Sequence, residues 1–131
     1  MPDVPPVFVL GMHRGGTTVV SQILVALGLD LGVGKGLVGA TRSNRYGHYE
    51  VRKITDLNEE MLRSLGRSWL SPQVDPVLVA ALAEGTFRER ALEILSNQFG
   101  DKPWFLKDPR LSLLLPFWRE VLPTQPVVVG V

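Results

Sequence analysis

The densest chemistry in this 131-residue chain lies in one stretch, Gly11-Met12-His13-Arg14-Gly15-Gly16-Thr17-Thr18. A short apolar run, Val7-Phe8-Val9-Leu10, comes before it. Residues 17–27 come after it, with Val20, Ile23, Leu24 and Leu27 at helical spacing. A strand, a Gly-rich loop and a helix in that order suit the capture of a phosphate-like anion. Gly15 and Gly16 let the main chain approach an anion with no side chain in the way. The first N–H groups of the helix have no intrahelical partners, and the helix dipole adds positive potential there. Arg14 supplies a permanent charge with several donors. Thr17 and Thr18 add hydroxyl groups.

The nucleotide-triphosphate loop, G-x-x-x-x-G-K-[ST], is the nearest mechanical comparison. Gly11 and Gly16 have its spacing, and Thr18 stands where it places the hydroxyl that holds Mg²⁺. Thr17, however, replaces the lysine that touches the β- and γ-phosphates. The cation of the loop is instead Arg14, three residues earlier. A nucleotide kinase or NTPase, with Phe105-Leu106-Lys107-Asp108 as the end of a Walker-B-like strand, is the alternative function that this comparison keeps open.

A cation followed by x-G-T-T after a first strand is similar to the 5′-phosphosulfate loop of sulfotransferases. A bacterial-type group of that family carries G-M-H-R-S-G-T-[ST], which residues 11–18 match except at Gly15, where serine is usual. Asn44-Arg45-Tyr46-Gly47-His48-Tyr49-Glu50 resembles the N-x-x-G-[YH]-[WYF]-E segment of the same group. Trp104-Phe105-Leu106-Lys107-Asp108-Pro109-Arg110-Leu111, continuing to Leu114-Leu115-Pro116-Phe117-Trp118, resembles its second-strand segment. The resemblance implies a P-loop-type α/β domain of three αβα layers with a parallel sheet. It implies 3′-phosphoadenosine 5′-phosphosulfate (PAPS) as co-substrate, with Gly11, Met12, His13, Arg14, Gly15, Gly16, Thr17 and Thr18 as its binding loop and no metal. In the family, the strand like residues 127–131 runs into an Arg-x-Pro segment, whose Arg holds the 3′-phosphate together with a Ser further on. The resemblance therefore covers the N-terminal half of the family's domain. It implies a fold cut short after the third strand, as a non-catalytic fragment or a chain that pairs with a missing half or with itself.

Sulfuryl transfer resembles phosphoryl transfer through a loose transition state. Charge builds on the leaving 5′-phosphate, where Arg14 and the backbone N–H groups of residues 15–18 would stabilise it. The acceptor, a hydroxyl or amine, needs a general base. The candidates are Glu50, Asp108 and His48. Asp108 follows the second strand, at the sheet edge where α/β proteins bind ligands. Related families place their base near that position or in an acidic residue after the first helix, where Glu50 falls. Each has a structural counterpart: Glu50 suits a helix start, and Asp108 suits a helix cap or a pair with Arg110. Lys107 and Arg110 are further candidates for contact with sulfate or phosphate oxygens, Arg42 and Arg45 for contact with the adenosine bisphosphate. Trp69, Trp104 and Trp118 read as core, and His13 and His48 as structural or solvent-facing.

These residues need elements to hold them. Residues 2–6, Pro-Asp-Val-Pro-Pro, cannot be helical. Residues 7–10, bounded by Pro and Gly, read as a buried parallel strand. Gly28 stands where the cap of the first helix falls. Residues 28–47 hold glycines and basic residues and read as a long loop. Ile54, Leu57, Met61 and Leu65 predict a second amphipathic helix over residues 51–65, ending near Gly66. A third helical stretch covers residues 76–99 with an interruption at Gly85-Thr86. Residues 104–107 and 126–131 predict the second and third strands. Leu111, Leu114, Leu115 and Trp118 recur at helical spacing, and Pro116 is expected to break that helix. Strands alternating with helices imply a single α/β domain, residues 1–131, around a parallel sheet.

Composition bounds the rest. Apolar residues make up 45% and charged residues 21%, the balance of a folded domain. The formal net charge of +1 argues against a dedicated duplex-nucleic-acid binder. The absence of cysteine excludes disulfides, Cys-ligated zinc and thiol catalysis. The longest uncharged helical stretch is too short and too polar to span a bilayer. Asp3 and the brief apolar run after it do not make a signal peptide, so a cytoplasmic location is expected. The acceptor stays open among carbohydrate, lipid, peptide and small phenol, because acceptor pockets in this fold come from variable loops.

Overall fold

The computed structural model describes residues 4–10, 17–29, 51–67 and 73–130. Its strands are β1 (Val7–Leu10), β2 (Phe105–Lys107) and β3 (Val127–Gly130). Its helices are α1 (Thr17–Ala26), α2 (Arg52–Ser64), α3 (Pro76–Ala81), α4 (Thr86–Phe99) and α5 (Leu111–Val121), with a 3-10 turn at Leu82–Glu84. The sheet is three-stranded, in the order β2-β1-β3. Both pairings are parallel, with Phe8 opposite Leu106 and Val128, and Val9 opposite Lys107 and Val129. The chain thus leaves β1 toward one side and returns through α5 to the other. A reversal of this kind at a central strand is where open α/β sheets form a ligand crevice, outside the carboxyl ends of the strands.

The layers follow from alternation along β1. Paired residues of parallel strands share a face, so Phe8 and Leu106, with Trp104 two residues earlier, look one way. Phe8 meets the Trp118 ring edge-on at 6.1 Å, and Trp104 stacks on Phe99 at 4.9 Å. These contacts bring α4 and α5 onto that face. Trp118 donates to Asn58, which adds α2. Right-handed crossovers place α1 on the opposite face, giving an αβα arrangement. The core between sheet and helices is built on Phe8, Ile54, Leu57, Met61, Leu95, Trp104, Leu106, Phe117 and Trp118, all nearly inaccessible.

The helix ends obey local chemistry. After α1, Gly28 at φ +95° lets Leu29 N–H reach the Leu24 carbonyl and Gly28 N–H the Val25 carbonyl. After α2, Gly66 at φ +70° does the same for Arg67 and Leu62, and for Gly66 and Arg63. Both are Schellman endings, which need the left-handed conformation glycine tolerates. Asp75 caps α3 by accepting from Val77 N–H, and Pro76 opens that helix. Gly85 separates the two halves of the stretch over residues 76–99, as expected.

Two expectations are corrected. Pro116 does not break α5, which runs unbroken to Val121. An internal proline costs roughly 3 kcal/mol. Leu111, Leu114, Phe117, Trp118 and Val121 are all buried on one face, each contributing about 1.5–3 kcal/mol, so packing overrides the lost bond. The inward face of α1 also differs. Val20 and Leu24 pack on the core and Ser21 is buried. Ile23 and Leu27 are exposed. Apolar residues occupy nearly every side of α1, so spacing alone does not select its buried face. β3 is more open than a buried strand, with Val127 and Val128 exposed at the sheet edge.

Candidate functional site

All three strands are parallel, so their carboxyl ends share one edge. Residues 11–16 join that end of β1 to the first turn of α1, which Thr17 and Thr18 open. Gly11, Met12, His13, Arg14, Gly15 and Gly16 lie outside the described residues, as do Glu50, His48, Arg42, Arg45 and Trp69. The part of the site in view is the segment after β2, which the strand order sets beside β1.

Asp108 is the first residue past β2, and its side chain is 1% exposed. One oxygen, Oδ2, accepts from Asn58 Nδ2 at 2.9 Å. The other, Oδ1, accepts from the backbone N–H of Arg110 at 3.0 Å and from its Nη1 at 2.9 Å. The Asp108 carbonyl also accepts from Leu111 N–H at the start of α5. Asn58 closes the other end of the network, because its Oδ1 accepts from Trp118 Nε1 at 3.0 Å. Of the two structural roles expected for Asp108, the pairing with Arg110 is present; the N-cap of α5 is Arg110, and no side chain caps that helix. Burial pushes the Asp108 carboxyl above the usual carboxylate range, although Asn58 and Arg110 pull it the other way.

Arg110 is held in a fork. Its Nε donates to Glu59 Oε2 at 2.7 Å while Nη1 serves Asp108. Burial works against the charged guanidinium, but Asp108 and Glu59 more than offset it and hold its pKa above the ordinary value. Glu59 differs from Asp108 in one decisive respect: its side chain is 32% exposed. Lys107, the last residue of β2, is buried and in register with Val9, which puts it on the α1 side of the sheet.

The structure thus brings Asp108 and Arg110 together and sets Lys107 on the other face. The sequence reading missed Asn58 and Glu59. A signal was present: Asn58 falls in the stripe Ile54, Leu57, Asn58, Met61, the i, i+3, i+4, i+7 positions of the buried face. A polar side chain in such a stripe must find buried partners.

Among the described residues, no group of three or more histidine, aspartate or glutamate side chains is arranged to hold a metal ion. No helix among them is long and apolar enough to cross a membrane. The chain matches no protein-family model, no curated protein and no solved structure.

Proposed function

We propose that this chain is a sulfotransferase domain of P-loop type, moving a sulfuryl group from PAPS to a hydroxyl or amine acceptor. The observation that carries the reading is the placement of Gly11-Met12-His13-Arg14-Gly15-Gly16-Thr17-Thr18 between the central parallel strand and the helix that follows it. That junction suits an anion for the reasons of backbone access, helix N–H groups and dipole already given. Thr17 at the lysine position speaks for a donor whose leaving group is a single 5′-phosphate rather than a triphosphate. In this reading Arg14 and the N–H groups of residues 15–18 stabilise the charge that develops on that phosphate. Residues 107–110 lie along the same carboxyl edge, at the end of the strand beside β1, and in this reading would face the acceptor.

A thermal-shift measurement of the chain with adenosine 3′,5′-bisphosphate, against ATP with and without Mg²⁺, tests this. A ligand at about a hundred times its Kd adds roughly 2.7 kcal/mol. Metal-independent stabilisation by the bisphosphate, lost in Arg14→Ala, is expected. A shift seen only with ATP and Mg²⁺ would instead favour a nucleotide kinase or NTPase. No shift with either would overturn both readings.

A further inference from the structure

The relay that closes around Asp108 ends on an open carboxylate. Running outward from the core, Trp118 Nε1 holds Asn58, Asn58 holds Asp108, Asp108 holds Arg110, and Arg110 Nε holds Glu59. Exposure rises along it, from 1% at Asp108 to 19% at Arg110 and 32% at Glu59. Each member fixes the rotamer of the next, and the last is turned to solvent by the carboxyl edge of β2. Orientation of a base by a neighbouring group is one feature of sites that move a proton, and here Arg110 orients the Glu59 carboxylate.

The two carboxylates differ in what they can reach. Asp108 has donors on both oxygens and almost no accessible surface. Glu59 accepts from Arg110 through Oε2, and a carboxylate has room for about four hydrogen bonds.

We propose that Glu59 takes the proton of the acceptor, and that Asp108 is a positioning residue acting through Arg110. The inference rests on the sulfuryl-transfer reading. In the step, the acceptor oxygen or nitrogen forms a bond to sulfur. The bond from sulfur to the 5′-phosphate oxygen of PAPS breaks, and its electron pair leaves with adenosine 3′,5′-bisphosphate. The acceptor's proton passes to the Glu59 carboxylate and then to water.

The test follows release of adenosine 3′,5′-bisphosphate from PAPS by the full chain, with water as the acceptor. Glu59→Gln is expected to lower kcat about a hundredfold or more, with the KM for PAPS and the bisphosphate shift unchanged. Glu59→Asp should recover part of the rate. Asp108→Asn should lower kcat as well, while keeping the bisphosphate shift wherever the variant folds. A Glu59→Gln chain with the wild-type rate overturns the proposal, as does a loss that appears in Glu50→Gln instead. A wild-type chain that binds the bisphosphate yet never turns over PAPS overturns it too. Failure of the wild-type chain to bind the bisphosphate at all overturns the underlying reading rather than the role of Glu59.

Discussion

Asn58 in the middle of α2 and Asp108 at the end of β2 are 50 residues apart in sequence and joined by a buried 2.9 Å hydrogen bond. The bond ties the helical layer to the carboxyl edge of the sheet. Asn58 spends both ends of its amide, donating to Asp108 and accepting from the Trp118 indole. Removing any member strands its neighbours, and a stranded buried polar group costs about 1–3 kcal/mol. Asn58→Ala strands two groups and Trp118→Phe strands one. The double variant is expected to lose markedly less than the sum of the singles, measured by urea denaturation, because the two share a bond. Additive losses would mean that the network is not coupled.

The same burial sets a pH dependence. Asp108 has its carboxyl raised, chiefly by burial, so the folded chain holds that proton more tightly than the unfolded one. Its contribution to stability is full below the ordinary aspartate pKa and is lost as pH rises through the folded value. Glu60 works in the opposite sense, because its hydrogen bond from Arg90 lowers its pKa. That contribution is present above the ordinary glutamate value and lost as pH falls through the folded one. The Arg90–Glu60 pair is nearly half exposed on both sides, and exposed pairs are worth at most about 1 kcal/mol. The stability gap between the wild-type chain and Asp108→Asn should therefore narrow as pH rises from the acid range toward neutrality. For Glu60→Gln the gap should be small and should shrink toward acid. Denaturation curves at several pH values check both slopes.

How far the sequence carried the fold depended on whether a local signal had one outcome. Gly28 and Gly66 end helices where expected, because a left-handed residue after an apolar stripe has few other uses. The three strands were legible as short, largely apolar runs, the first bounded by Pro and Gly, and their parallel pairing followed from the helices between them. The buried face of α1 was not legible, because Val19, Val20, Ile23, Leu24, Val25 and Leu27 mark no single side. At the candidate site, Asp108 and Arg110 were visible as charged residues at a strand end. Their mutual pairing was one of several options that only the tertiary structure could select. Glu59 gave no local sign, since its partner is a guanidinium 51 residues away.

Pro116 tests how much packing overrides propensity. Its ring removes the hydrogen bond that residue 116 would give to the Ser112 carbonyl, yet α5 stays continuous. Pro116→Ala restores that bond and the helix propensity but gives back some unfolded-state entropy, about 0.4–1 kcal/mol. The net expectation is a gain of about 1–2 kcal/mol, from the roughly 3 kcal/mol cost of internal proline less that entropy and some lost packing. Thermal and urea unfolding measure it directly. A loss of stability would show that the proline ring is itself a needed part of the packing of α5.

Arg110→Lys separates charge from geometry at the end of the relay. The substitution keeps the positive charge beside Asp108 and Glu59. It removes the planar fork whose Nε and Nη1 serve two carboxylates at 2.7 and 2.9 Å. An ammonium is a compact charge whose three donors rotate together, and it does not hold two carboxylates in fixed relative orientation as a planar fork does. Breaking one member of a buried pair costs about 3–5 kcal/mol when charge is lost; with charge retained the loss should be smaller, on the order of 1–2 kcal/mol, the worth of a charge-assisted hydrogen bond. Arg110→Ala, which leaves Asp108 buried without its counter-charge, should reach the larger figure. If Glu59 is the proton acceptor, Arg110→Lys should also lower the kcat of PAPS turnover with little change in KM, because the proposal assigns the donor to residues 11–18 and not to Arg110. Equal stability and equal kcat for the lysine and wild-type chains would mean that charge alone suffices and that the fork orients nothing.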